Sequence, residues 1–252
     1  MAQIKAIFFD CWNTIIKYLE REENFFSKEI YDLYIDDESK KENNVSREEF
    51  TSLYSNFLRE FYHTNEKYEL RVEQEVNYAL VYFNLKLKDG ENLSDVCEKV
   101  SRHFIPVKMD GIDVLLDYCK ANNIKMYVLS NTEFSYDMTY YHIKNCYGGK
   151  FPFDGLLVSS DVGVKKPSPL FFNLGLRKFG YSKDEIIYVG DNFFCDVYGS
   201  NNAEFRHSIH FNPNKLDIRS FTRNNTIDID KQKYISISIY QELVDLLEKE
   251  AI

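Results

Sequence analysis

The chain has 252 residues, 44% of them hydrophobic and 28% charged, with a formal net charge of −9. That length can bury a sizeable core, as one large domain or a domain carrying an insertion, and the composition is globular. The acidic balance argues against general nucleic-acid binding, no run of about 18 apolar residues offers a membrane span, and the five dispersed cysteines lack a C-x-x-C pair and read as reduced thiols. In chain order, Ile4, Ala6, Ile7, Phe8 and Phe9 predict a short buried strand that ends at Asp10. A carboxylate at that end of a buried strand sits where open α/β sheets place their ligands. Trp12, the only tryptophan, follows two residues later, with Asn13 and Thr14 behind it.

After Thr14 the pattern turns helical until about residue 105. Ser46 to Glu49 reads as a capping box, and Phe50, Leu53, Tyr54, Phe57, Leu58 and Phe61 recur behind it at helical spacing. Two further apolar stripes follow, one through Val72, Val76, Ala79, Leu80 and Phe83, the other through Leu93, Val96, Cys97, Val100 and Phe104. The charged stretch 36–44 is expected to be a loop. Residues 17–105 therefore read as an all-helical subdomain set between residues 1–16 and 106–252.

From Gly111 helix and strand alternate. Ile112 to Asn123 reads as a helix and Ile124 to Leu129 as a strand ending at Ser130-Asn131-Thr132. Leu156 to Val158 reads as a second strand. Pro167 suits the first turn of a helix that closes at Gly180. Ile186 to Val189 is a strand ending at Gly190-Asp191, Ile209 lies in another, Ile235 to Ile239 is the last, and Gln241 to Glu250 a terminal helix. Strands spaced by helices imply an α/β fold with a Rossmann-like, doubly wound parallel sheet. If the strands ending at Asp10, Ser130-Asn131 and Asp191 are neighbours, their polar ends converge on one crevice. Taken singly, each such residue could be no more than a helix cap or a turn. The five histidines contain no pair at helical metal-ligand spacing and read as structural or exposed.

These points, taken in order, resemble the motifs of the haloacid dehalogenase superfamily of hydrolases. Asp10 with Thr14 is similar to the first motif, Ser130-Asn131 to the second, Lys166-Pro167 to the third, and Gly190-Asp191-Asn192 with Asp196 to the fourth. The helical insertion lies at the family's common cap position. The resemblance implies that Asp10 is a nucleophile forming an aspartyl intermediate, that Ser130 and Asn131 hold the transferred group, and that Lys166 screens it. It also implies a Mg²⁺ cofactor on Asp10, Asp191 and the backbone carbonyl of Trp12, with Asp196 as a ligand or supporting acid. Lys165 is adjacent, but the family's lysine directly precedes the proline, which selects Lys166. A hard cation with oxygen ligands suits that chemistry.

Trp12 departs from the family. The phosphatases carry a second Asp there, which protonates the leaving alcohol and then activates water, whereas an indole is a donor only. Three readings stay open: a Mg²⁺-dependent hydrolase of small phosphorylated molecules, whose leaving group needs little acid help or whose acid comes from the cap; a catalytically weak or inactive ligand-binding or regulatory protein; and a dehalogenase acting at carbon. The dehalogenases have an aromatic residue at this position but depart from the metal-binding form of the fourth motif. The indole of Trp12 is expected to point towards the cap, to shape the pocket entrance and to border the substrate beside Asp10. A cytoplasmic location is expected from the absence of a leader pattern. A small phosphorylated molecule is the expected partner, with no nucleic-acid or membrane partner, and the motifs do not specify an oligomeric state.

Overall fold

The structure is a computed structural model that describes residues 3–19, 23–216, 227–249 and 252. Strand β1 (Ala6–Phe9) is completely buried, and its side chains alternate between two apolar clusters: Ile7 and Phe9 enter one, Ala6 and Phe8 the other. A strand covered on both faces reads as a continuous apolar run rather than an alternating one, which is why this segment carries no polar residue. Its neighbours are β4 (Lys125–Ser130) on one side and β6 (Ile186–Gly190) on the other, both parallel to it. With β5 (Gly155–Val158), β7 (His207–Phe211) and β8 (Ile235–Ile237) the parallel sheet runs β5-β4-β1-β6-β7-β8.

Helices cover both faces. Helices α6 (Ile112–Ala121) and α11 (Tyr240–Glu248) place Leu115, Leu116, Leu243 and Val244 in the cluster of Ile7 and Phe9, whereas α9 (Pro169–Phe179) places Phe171 and Phe172 against Phe8. Each such fully buried side chain stabilises the fold by about 1.5–3 kcal/mol. The proline at the start of α9 is Pro169, not Pro167; Pro167 precedes it in a cis peptide with Lys166. The helix closes at Gly180, whose φ of 80° is open to glycine at no steric cost. Glu250, the expected end of the last helix, lies outside the described residues.

The intervening helices are α1 (Phe25–Tyr34), α2 (Asp37–Glu42), α3 (Arg47–Thr64), α4 (Val72–Tyr82) and α5 (Leu93–Ser101). Their apolar stripes meet in a separate cluster containing Ile30, Phe50, Val72, Val76, Val96 and Val100. The reciprocal capping box at Ser46 and Glu49 starts α3. Two expectations are corrected. The charged stretch expected as a loop holds α2, because Asp36 accepts from the Ser39 amide at 2.7 Å and the first turn carries Asp37 and Glu38 against the helix dipole. Helix also does not begin at residue 17: β2 (Ile16–Tyr18) pairs antiparallel with β3 (Pro106–Lys108), so a two-stranded neck stands where the chain leaves and re-enters the sheet-bearing part.

Candidate active site

The sheet order decides what meets. Because β4, β1 and β6 are adjacent and parallel, their carboxyl ends deliver Ser130-Asn131, Asp10 and Asp191 to one edge. Carboxylate oxygens of Asp10, Asp191 and Asp196 lie within 4.8 Å of one another. Asp196 reaches this group through a π-helical turn, Phe193–Tyr198, in which Asn192 accepts from the Cys195 amide at 2.9 Å. π-turns of this kind recur at functional sites because they re-aim side chains. Gly190 is what lets Asp196 in: a Cβ there would stand 2.3 Å from the Asp196 Cγ.

Lys166 ties the acids together. Its ammonium, 1% exposed, donates to Asp10 Oδ1 at 2.5 Å, to Asp196 Oδ1 at 2.7 Å and to the Tyr188 hydroxyl at 2.9 Å. Burial alone would depress this amine, but the flanking Asp10 and Asp196 outweigh it and hold the charge well above its ordinary range. Asp10 is pushed up to about 6, first by burial and then by Asp196, against the pull of Lys166. Asp191 is pushed up to about 8 by burial, with Asp10 and Asp196 adding repulsion. One ammonium therefore does not balance three acids. Hard oxygen donors gathered this closely suit Mg²⁺, and Asp191 is the most exposed of the three. Asp196 is otherwise engaged: Oδ1 accepts from Lys166 and Tyr188, and Oδ2 accepts from the Asn192 amide at 2.9 Å.

The remaining expected residues divide. Ser130 is fully buried and its Oγ finds no hydrogen-bond partner among the described residues beyond the weak Cys11 thiol beside it. A buried hydroxyl left this way keeps a donor available to an incoming acceptor. The Asn131 side chain is occupied elsewhere, donating to the Lys166 carbonyl and accepting from the Lys166 amide, both at 2.9 Å. These bonds clasp the lysine loop, and Asn131 also lines the cleft beside it. Thr14 donates to Asp10 Oδ2 at 3.3 Å. The Trp12 indole stacks on Tyr18 at 4.4 Å and meets the His142 edge at 5.9 Å, so it lies between the sheet-side and helix-side clusters.

Sequence reasoning misses four residues near the site. Tyr188 stands in an otherwise aliphatic strand, and its hydroxyl had to find a buried partner; that was the available signal. His210, which burial keeps neutral, donates from Nε2 to the Asp191 carbonyl at 3.0 Å and carried no such signal. Tyr62 and Glu66, from the end of α3 and just beyond, line a cleft of about 200 Å³ with Lys165, Lys166, Asn192 and Phe194.

A model of the haloacid dehalogenase-like hydrolase family matches residues 4–203. The chain belongs to that family. Among haloacid dehalogenase-like relatives, a glyceraldehyde 3-phosphate phosphatase of Pyrococcus furiosus is 29% identical over 100 residues, 39% of this chain and 38% of that protein. The pyrimidine 5'-nucleotidase PynA of Streptococcus pneumoniae is 31% identical over 98 residues, 38% of this chain and 37% of its own. The chain thus matches less than two fifths of the length of either relative. Among solved structures, a HAD phosphatase from Thermococcus onnurineus superposes with a TM-score of 0.61 at 20% identity, over 97% of this chain and 98% of that one. A 2-haloacid dehalogenase from Pseudomonas syringae pv. Tomato DC3000 gives 0.63 at 18% identity, over 98% and 100%. These two likenesses establish the fold.

Proposed function

We propose that the chain is a Mg²⁺-dependent phosphohydrolase acting on a small phosphorylated molecule through Asp10 as nucleophile. The observation that carries this is the Asp10–Lys166–Asp196 cluster, a buried carboxylate held by a charged lysine at the carboxyl edge of the sheet. The phosphatases among its relatives support the same reading. In the first step a carboxylate oxygen of Asp10 bonds to phosphorus as the P–O bond to the leaving group breaks, and the leaving oxygen departs as an anion or takes its proton from solvent water. In the second, the oxygen of water bonds to phosphorus, its proton passes to solvent, the acyl-phosphate P–O bond breaks, and the Asp10 carboxylate is restored. The Lys166 ammonium pairs with phosphoryl oxygens, and the Ser130 hydroxyl donates to one. Asp10, Asp191 and the Trp12 carbonyl would hold Mg²⁺, which would supply charge stabilisation. The helices of residues 17–105 act as the cap.

Trp12 supplies no proton, so the preferred substrates are those with stable leaving groups, acyl phosphates first. The same residue favours the competing reading of a weak or inactive binding protein, and its aromatic ring admits attack at carbon. Phosphate release from acetyl phosphate and p-nitrophenyl phosphate with Mg²⁺ tests all three. Release is expected from wild type and lost in Asp10→Asn. Equal release by the variant would remove Asp10 from the chemistry. Silence toward both phosphates would leave the binding reading, and chloride release from 2-chloropropanoate would move attack to carbon.

A further inference from the structure

The segment between α3 and α4 reaches the loops of the site through a buried carboxylate. Glu69 follows α3, and its side chain is 5% exposed. One of its oxygens accepts from Ser159 Oγ at 2.8 Å, and the other lies 3.3 Å from Lys165 Nζ. Each contact stops one residue short of the site. Ser159 Oγ accepts from the Thr132 amide at 2.8 Å, and Thr132 follows Asn131. Lys165 precedes Lys166, and its ammonium also sits 3.6 Å over the Tyr62 ring that walls the cleft. The main chain repeats the link: Glu69 N donates to the Gly163 carbonyl at 3.2 Å, Lys165 N to the Lys67 carbonyl at 3.0 Å, and Tyr68 bridges Val164 antiparallel. The two loops so gripped are the ones that Asn131 and Lys166 already join by their paired hydrogen bonds.

We propose that Glu69 is a positioning residue, fixing the Asn131 and Lys166 loops in catalytic register when the helical segment is seated over the cleft. The inference rests on the phosphohydrolase reading but touches none of the reacting atoms. A carboxylate is required because it answers two different donors at once, a hydroxyl on one loop and an ammonium on the other. A second contact between the same segments, Arg71 to Asp161 at 3.1 Å and to the Ser160 carbonyl at 3.4 Å, touches neither Ser159 Oγ nor Lys165 and provides the comparison.

The experiment measures kcat and KM for p-nitrophenyl phosphate with Mg²⁺, melting temperature, and amide hydrogen exchange, in wild type, Glu69→Ala, Glu69→Gln, Ser159→Ala and Arg71→Ala. Glu69→Ala is expected to lower kcat by roughly 10²-fold, the scale of a misplacement of about 1 Å, with little change in KM. Glu69→Gln, which keeps an acceptor for Ser159 but gives up the ion pair with Lys165, should recover only part of that loss, and Ser159→Ala should share it. Arg71→Ala should leave kcat unchanged. The amides of Thr132 and Lys166 should exchange faster in Glu69→Ala while those of β1 and β6 do not change. Unchanged kcat in Glu69→Ala, or an equal fall in Arg71→Ala, overturns the proposal. If wild type hydrolyses no phosphate, the phosphohydrolase reading fails by itself, and exchange decides the role of Glu69: wild-type rates at Thr132 and Lys166 in Glu69→Ala overturn it, faster rates uphold it.

Discussion

Trp12 concentrates the chemical question of this site in one side chain. Position 12 lies two residues beyond Asp10, where a titratable group could reach the leaving oxygen, and the indole that occupies it is stacked on Tyr18 and edged against His142. Burial keeps His142 neutral, and its Nε2 is taken by the Ser101 carbonyl at 2.7 Å, so the neighbouring imidazole does not stand in as an acid. Trp12→Asp places a carboxyl at the vacated position. Turnover of an alkyl phosphate is expected to rise by up to ~10²–10⁴-fold, the usual contribution of a positioned acid–base group, and to rise more than that of an aryl phosphate. The variant also loses the Tyr18 stack, about 0.5–1.5 kcal/mol beyond the area buried, so a lower melting temperature accompanies the gain. Steady-state kinetics on the two esters checks this. An unchanged alkyl-to-aryl ratio would mean that proton supply does not limit the reaction.

At the scale of elements, α3 and α4 are joined by a buried acid. Glu75 on α4 is 2% exposed and accepts from the hydroxyls of Tyr54 and Tyr62 on α3, at 2.8 and 2.9 Å. Burial, then repulsion from Glu133, pushes it up to about 8. Its folded pKa is thus above its unfolded one, so the folded chain holds the extra proton and stability falls as pH rises from about 5 to 8. Glu75→Gln mimics the neutral acid. Its melting temperature should match wild type near pH 5 and exceed it by pH 8.5; parity across that range, by calorimetry, would place the ionised form at no penalty. This pairing also marks how far sequence carried. The stripes of α3 and α4 and the Ser46–Glu49 box were legible because they rest on contacts three or four residues apart. Asp10 and Asp191 were legible as polar residues ending apolar runs. The neck was not, since β2 and β3 are three residues each and pair across nearly the whole helical segment. Nor was α2, whose cap at Asp36 was hidden among like residues. Glu69, Glu75 and the Asn131–Lys166 clasp depend on loops brought together by the sheet order, which no local spacing encodes.

The whole molecule carries a net charge of −9, and it gathers three acids around one lysine at the edge of its sheet. Coulomb repulsion in a partly buried setting is screened far less than on the surface, so the fold carries that repulsion as a standing cost until a cation answers it. Asp191, pushed up to about 8, is ionised at pH 8.5, where the repulsion is greatest. A cation bound only by the folded chain stabilises it by about 2.7 kcal/mol at 100-fold excess over Kd. For a chain of this length that amounts to a melting-temperature rise of roughly 5–11 °C. Mg²⁺ at pH 8.5 is therefore expected to raise the melting temperature of wild type by several degrees. Asp191→Asn should act with opposite signs in the two conditions. Without metal it removes one of the repelling charges and should melt above wild type, while with Mg²⁺ it should gain little and fall below it. A crossing of this kind separates a metal ligand from an acid that merely supports the fold, because a structural role would lower the melting temperature in both conditions. Differential scanning calorimetry with and without chelator reads the crossing directly, and two parallel shifts would take Asp191 out of the metal site.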